Sequence, residues 1–425
     1  MKRFLFLLFP ALIYAQTYQE ILDGVDNALQ LKSAKQLQKS TKLMAEAQKG
    51  KNLPSLDLSL SGVWLKEKPT VTFANTTFPL SSQRNFTGSL KLSYPLFTGF
   101  AITAEIDKAI WEYEEASLKV FDLKRNLYLQ ATQLFGAIYA TQEKLKAQQE
   151  AKKAIEDAYK KAKGLFDNGI LPPADLYNIE AKRYAIEAEI IDAKSQKDQL
   201  LNRLSFILNR PITSVEFSNY PTLQLNKNEM ITTALNHRED IQALQRALKI
   251  NQEVEKLAKS RYYPTVALTA ELKRKGNTLA LNGDGVSNAD QSYIGTALSW
   301  NLFNGFADEK QYEASRLRTL SAQTALNDYK NRVKTELENA FLMLSALQSK
   351  LLSAKMELKA QKEYYKLTKG RFENQLASAD ELSRAIADLS SARAKVSVLE
   401  SQIFIQTATI GLMAGLERFK TLFLK

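Results

Sequence analysis

The side chains that usually make and break bonds are scarce in this chain, so the chemistry open to it is narrow. Its 425 residues contain no cysteine and a single histidine, His237. Without cysteine there is no disulfide framework, thiolate metal site, cysteine nucleophile or thiol for a lipid anchor. One histidine is too few for a multi-histidine metal site, and a Ser-His-Asp triad has little to build on. His237 stands beside Arg238 and Asp240 in what reads as an N-terminal helical turn, where a capping or solvated role suits it better than ligation. Carboxylates are plentiful, but no Gly-rich phosphate loop or metal-ligand spacing organises them. Asn282-Gly283-Asp284-Gly285 marks a turn and lacks the remaining ligand spacing of a calcium loop. These residues imply no enzyme and no cofactor. What remains is electrostatics at element ends. Asp175 follows Pro172-Pro173 at a helix start, and Ser378-Ala379-Asp380-Glu381 has the spacing of a capping box, with Arg384 one turn on.

The elements that must position these charges are long. The 58 Lys+Arg against 46 Asp+Glu give a formal charge of +12, while 45% hydrophobic and 24% charged residues are ordinary for a folded chain. Only 16 Gly and 10 Pro are available to interrupt helices. Met1 to Ala15 has Lys2 and Arg3 before an apolar run of about ten residues and reads as a cleaved secretory signal. An uncleaved anchor is the competing account, but the run is short of the ~20 residues that span a bilayer. No other stretch reaches that length, so a membrane crossing would have to be made by strands.

The chain is written twice. A displacement of 206 residues aligns about 93–209 with 299–415 without a gap. Leu96-Phe97-Thr98-Gly99-Phe100-Ala101 then meets Leu302-Phe303-Asn304-Gly305-Phe306-Ala307, and Lys163-Gly164-Leu165-Phe166-Asp167-Asn168 meets Lys369-Gly370-Arg371-Phe372-Glu373-Asn374. Two landmarks in one register argue for duplication of a large unit rather than a short solenoid repeat. The expected organisation is a signal peptide at 1–15, a first repeat at 16–210, a linker at 211–228, a second repeat at 229–415 and a tail at 416–425.

Each repeat opens with a helical pattern, the first over 17–51, and then changes to a period of two. Leu56, Leu58, Leu60, Gly62 and Trp64 alternate with Ser55, Asp57, Ser59 and Ser61; Phe86, Gly88, Leu90, Leu92, Tyr94 and Leu96 alternate with Thr87, Ser89, Lys91 and Ser93. This predicts strands over about 55–65 and 86–97, and the same alternation through Val266–Leu272 and Ile294–Leu302 predicts strands over about 264–273 and 292–303. Runs of ~9–11 residues have the length of a transmembrane β-strand. The helical period then returns, predicting hairpins over 101–208 and 306–414 that turn near 164–173 and 370–378. A helix from 101 to 163 would be ~95 Å long, beyond any compact domain. The fold class is α+β, mostly α.

Four amphipathic strands satisfy their backbone groups in lipid only if the sheet closes, and the smallest single-chain barrels have about eight strands. Two copies would supply eight strands and three would supply twelve, so a lipid-embedded chain must be a homo-oligomer. Phe97, Phe100, Phe303 and Phe306 fall where strand becomes helix, with Tyr262 and Tyr263 at the opposite change. That is the position of an aromatic belt at a membrane boundary, although capping and packing aromatics of a soluble protein would account for them too.

The order helix, strand, strand, long helix, turn, helix, written twice behind a signal peptide, resembles the TolC-like outer-membrane efflux protein family over essentially the whole mature chain. Tyr94-Pro95-Leu96-Phe97-Thr98-Gly99-Phe100 and Trp300-Asn301-Leu302-Phe303-Asn304-Gly305-Phe306 look like the family's strand-to-helix signature, and Asn236-His237-Arg238-Glu239-Asp240-Ile241 is similar to its Asn-Arg-Pro-Asp-Leu helix start, with Glu239 in place of Pro. The resemblance implies a homotrimer with one twelve-stranded barrel in outer-membrane lipid and one α-helical barrel through the periplasm. It also implies export of small molecules or polypeptides, in efflux or type I secretion, with an inner-membrane pump and a periplasmic adaptor.

The same resemblance assigns roles at the hairpin turns. The periplasmic gate maps to Asp175 and Glu381, with Asp380 alongside and Arg384 where a second acid is often found. Adaptor docking maps to Gly164, Phe166, Asn168, Gly169 and Ile170 in the first turn and to Gly370, Phe372, Asn374, Gln375 and Leu376 in the second, where Gln375 replaces the glycine. Helix capping and tight-turn glycines are the purely structural accounts of these positions. The basic excess is dispersed among acids, as in Lys144, Lys146, Glu150, Lys152, Lys153 and Glu156, which is a solvated helix face rather than a nucleic-acid stripe. The competing class is a secreted, soluble coiled-coil adaptor or scaffold without a pore; duplicated hairpins and lipid-length strands favour the channel. The exported substrate is not legible.

Overall fold

Scarcity of breakers lets the helical period run very far. In the computed structural model, which describes residues 15–217, 223–283 and 289–423, the long helices α3 (Ala101–Asp167) and α7 (Ala307–Glu373) each have 67 residues. At 1.5 Å per residue each is ~100 Å long. They return as α4 (Pro173–Leu208) and α8 (Ala379–Met413). Before them stand α1 (Tyr18–Gly24), α2 (Leu29–Gly50), β1 (Ser55–Trp64), β2 (Thr70–Phe73), β3 (Thr76–Pro79) and β4 (Arg84–Phe97). Between the hairpins stand α5 (Lys227–His237), α6 (Glu239–Lys259), β5 (Thr265–Gly276) and β6 (Tyr293–Ser299), and α9 (Leu416–Phe423) comes last. The expected signal segment, apart from Ala15, lies outside the described residues, as do residues 218–222 of the expected linker and the Asp284-Gly285 half of the turn signal.

Two compact units emerge, and they cut across the expected repeats. One comprises Leu37–Ser117 and Ala243–Asn327, the other Met1–Gln36, Leu118–Gln242 and Asp328–Lys425. The first holds an antiparallel sheet in the order β1-β4-β5-β6. Its register carries the period of two across the strands: Leu56, Leu92, Ala270 and Ile294 form one row and Leu58, Leu90 and Leu272 the next. Ser55, Ser93, Thr269 and Gly295 make a row on the opposite face, followed by Asp57, Lys91, Glu271 and Tyr293. Among the described residues the apolar face is largely uncovered: Leu56, Leu58, Leu60, Leu272, Ile294 and Leu298 are all exposed, and Leu281 reaches over Gly88. β1 and β6 are the free edges.

The second unit buries its apolar side chains. Tyr18, Ile21, Leu22, Leu127, Phe135, Leu204, Leu208, Phe404 and Phe419 belong to one core, with Tyr18 edge-on to Phe404 at 5.0 Å. Gly136 permits close approach of α8: a Cβ there would lie 2.6 Å from Ile405, and Ser401 Oγ donates to the Gly136 carbonyl at 2.6 Å.

Several expectations need correction. The strand expected to reach 303 stops at Ser299, because its partner begins at Thr265, directly opposite, leaving nothing for Trp300 onward to pair with. Between the strands expected over about 55–65 and 86–97 lies a further hairpin, β2–β3, turned by Ala74 and Asn75 at φ 48° and 60°. The expected first helix is broken at Val25–Asn27, and residues 416–423 of the expected tail form helix α9. Residues of the expected linker pack rather than hang free: Val215 bridges Gln16, Ile212 and Val215 are buried, and Phe217 stacks on Tyr139 at 4.0 Å.

Candidate functional site

The hairpin turns begin one helical turn later than expected, since Gly164 and Gly370 still lie inside α3 and α7. Each helix ends in the same motif. Gly169 N–H donates to the Phe166 carbonyl and Ile170 N–H to the Leu165 carbonyl; Gln375 N–H donates to Phe372 and Leu376 N–H to Arg371. These paired bonds from a left-handed residue and its successor satisfy the last helical carbonyls as a Schellman motif. The left-handed residue is Gly169 at φ 74° and Gln375 at φ 63°. Asn168 Nδ2 donates to the Gly164 carbonyl at 2.6 Å and Asn374 Nδ2 to the Gly370 carbonyl at 2.8 Å.

Side chains at the turns divide. Phe372 is 4% exposed and Phe166 half-buried, both in a cluster with Ala158, Ala162, Leu176, Ile179, Leu382 and Ile386. Ile170 and Leu376 are 58% and 69% exposed. Phe372 therefore supports the turn from within and presents no surface, whereas Ile170, Leu376, Asn168, Gly169, Asn374 and Gln375 face outward.

The acids also divide. Asp175 lies in the first turn of α4, which has Pro172 at its N-cap and no side-chain cap, and it makes no ion pair among the described residues. Glu381 donates its backbone N–H to Ser378 Oγ at 3.1 Å, one arm of the expected capping box; the reciprocal arm is absent among the described residues, and the Glu381 carboxylate lies 4.0 Å from Arg371. Asp380 is tied to Arg384 at 2.5 Å and accepts from Asn178 Nδ2 at 3.3 Å. Arg384 thus neutralises its own helix's acid.

At the strand-to-helix junctions the aromatics repeat one geometry. Gly99-Phe100 and Gly305-Phe306 take consecutive positive φ values of 59°, 70° and 56°, 63°. Phe97 meets Phe100 edge-on at 5.3 Å and Phe303 meets Phe306 edge-on at 5.4 Å. Only the first junction is crowded: a Cβ on Gly99 would lie 2.6 Å from the Ser260 carbonyl oxygen, whereas Gly305 has open space around it.

One polar site has no counterpart in the sequence reading. Buried Arg125 on α3 binds Asp122, Asp240 at 3.0 Å and Glu239 at 3.5 Å. Asp240 also pairs with Arg238 at 2.9 Å and accepts from the Tyr329 hydroxyl at 2.8 Å, while Glu239 accepts the Leu416 N–H at 2.8 Å. Burial raises the Glu239 carboxyl above the usual carboxylate range, against the pull of these hydrogen bonds and Arg125. Burial and the bond to Asp240 push the Tyr329 hydroxyl up to about 12. The Asn236–Ile241 motif marked the start of α6, but its partners at 125, 329 and 416 are too distant in sequence for local pattern to join them. His237 is the exposed last residue of α5, not part of a helix's first turn. No group of three potential metal ligands occurs among the described residues.

A model of the outer membrane efflux protein family matches residues 20–210 and again 230–416. Comparison with curated proteins gives no match. Among solved structures, VceC of Vibrio cholerae, an outer membrane protein, superimposes with a TM-score of 0.81 at 17% identity, covering 94% of this chain and 96% of that one. The Campylobacter jejuni CmeC outer membrane channel gives 0.81 at 15% identity, covering 96% and 86%. CusC, described for its folding and transmembrane channel formation, gives 0.82 at 13% identity, covering 94% and 92%. At such identities these likenesses establish the fold.

Proposed function

This chain belongs to the outer membrane efflux protein family, resident in the outer membrane and extending into the periplasm, and from that premise we propose that it is one subunit of a homotrimeric export channel. Three copies contribute four strands each to a twelve-stranded barrel, and their long hairpins line a conduit through the periplasm. The channel is passive: it carries substrate handed on by an inner-membrane pump and a periplasmic adaptor, in efflux or type I secretion, and no bond is made or broken in it. The exposed residues of the hairpin turns receive the adaptor, and Asp175 and Glu381 set the charge of the entrance.

The observation that carries this reading is the sheet. A four-stranded sheet with two free edges and an uncovered apolar face is unstable in water and unsatisfied in lipid, and closure with other copies removes both faults. Strands displaced by one half of the chain, matching positive φ at Gly99 and Gly305, Phe100 and Phe306, and Gly169 and Gln375, and two successive family matches support the duplication that makes the four strands. The test is the mass of the detergent-extracted protein from outer membranes, with bound detergent subtracted. Three chains per particle and stepwise ion currents in planar bilayers are expected; a single chain recovered from the soluble fraction overturns the reading.

A further inference from the structure

The polar face of the sheet carries its charges in three successive cross-strand rows. On β1 it carries Ser55, Asp57, Ser59 and Ser61; on β4 Thr87, Ser89, Lys91 and Ser93; on β5 Thr265, Thr269, Glu271, Lys273 and Lys275. Asp57, Lys91 and Glu271 share one cross-strand row, so each chain has a net negative band there. Lys273 lies one step farther from the helices, opposite Ser89 and through it Ser59. Lys275 lies a further step on, opposite Thr87 and through it Ser61. Each step of two residues is about 7 Å. Lys273 and Lys275 make no ion pair or side-chain hydrogen bond among the described residues; their partners on β4 are hydroxyl residues, and on the other side their backbones bond to Gln291 and Ala289. The intervening Arg274 points to the other face, opposite Gly88 and bridging Asp290.

We infer that Lys273 and Lys275 form an anion-favouring mouth at the loop end of the channel. The inference rests on the trimeric barrel proposed above, in which the apolar face meets lipid and the polar face lines the conduit. Three copies then place two rings of three lysines beyond a ring of mixed sign. With a screening length of about 8 Å at physiological salt, the two lysine rings act together on an ion at the mouth. Their field raises the local concentration of anionic solutes, and charged rings of this kind decide which ion sign passes more readily.

The experiment uses the full-length protein in planar bilayers, with reversal potentials in a KCl gradient and block by inorganic tripolyphosphate added to each side in turn. Tripolyphosphate added on the loop side should block at low salt and lose effect in ~1 M salt, where screening falls to about 3 Å. The K273E/K275E pair should shift the reversal potential toward cations and weaken loop-side block by about tenfold or more, as expected for reversing charges at contact range. K273Q/K275Q should lie between, and it keeps the test open if the glutamates prevent assembly. R274Q, on the opposite face of the same strand, should change neither quantity. Unchanged selectivity and block in both double variants overturns the inference, as does equal block from the two sides or an equal effect of R274Q. Absence of any current from the wild-type protein overturns the barrel reading itself, and the mouth with it.

Discussion

The first hairpin turn, Phe166-Asp167-Asn168-Gly169-Ile170, and the second, Phe372-Glu373-Asn374-Gln375-Leu376, share a backbone and an asparagine cap and differ in the residue at the left-handed position, the burial of the phenylalanine and the pairing of the nearby acids. Both close with the same two N–H bonds and the same asparagine cap. The first spends a glycine on the left-handed position, whereas the second holds a glutamine there at a cost of ~1–2 kcal/mol. The second turn also buries its phenylalanine more completely and pairs Asp380 with Arg384 and Glu381 with Arg371, while Asp175 has no cation partner among the described residues. The geometry of a helix reversal is therefore dictated by the helices and their last carbonyls, and surface chemistry is free to diverge around it.

Four measurements can break or sharpen this comparison. The largest difference concerns the phenylalanines. Phe372→Ala should lower the local opening free energy of the second turn by about 3–5 kcal/mol, read by hydrogen exchange of its amides. Phe166→Ala should cost about half as much, because that ring is only partly buried; equal losses would mean that the two turns are packed alike. Next, Gly169→Ala should destabilise the first turn by ~1 kcal/mol, and Gln375→Gly should stabilise the second by up to about 1 kcal/mol, since only the second carries a side chain in the left-handed region. A Gln375→Gly variant with slower-exchanging amides satisfies this; a faster-exchanging one contradicts it. Asn168→Ala and Asn374→Ala should cost the same, ~0.5–1.5 kcal/mol, as each removes one bond to a helical carbonyl. The smallest effect is electrical. Asp175→Ala should weaken block by magnesium ions more than Glu381→Ala, while Arg384→Ala should strengthen it by releasing Asp380, each by a few tenths of a kcal/mol at such exposed sites. Equal responses from Asp175 and Glu381 would show that the neighbouring arginines do not tune the ring.

Much of the framework was legible because it is written in short periods. The hairpin read over 101–208 begins at Ala101 and ends at Leu208, and the alternation of Leu56 to Trp64 lies within one strand. Such signals depend on residues two, three or four apart. The small hairpin β2–β3 escaped because its strands have four residues each and its turn uses Ala74-Asn75 without glycine. At the turns, the replacement of glycine by Gln375 is visible in the sequence, but that the Schellman bonds hold Gln375 in the left-handed conformation is not. Phe372 is a docking residue by resemblance of the turn to the family's; its burial comes from Leu382 and Ile386 on the returning helix. The Arg125 cluster was illegible for a different reason. It joins residues 122–125, 238–240, 329 and 416, and no local period links segments so far apart.

That cluster also bears on the order in which the molecule can be made. Arg125 is surrounded by Asp122, Glu239 and Asp240, and Glu239 in turn takes the backbone N–H of Leu416, at the start of α9. Arg125 thus finds two of its carboxylate acceptors some 115 residues later, and one of them, Glu239, takes its own donor, the Leu416 N–H, some 290 residues after Arg125. The core around Tyr18 likewise takes in Phe404, Leu412 and Phe419. The packing of this unit is therefore complete only once α9 is in place.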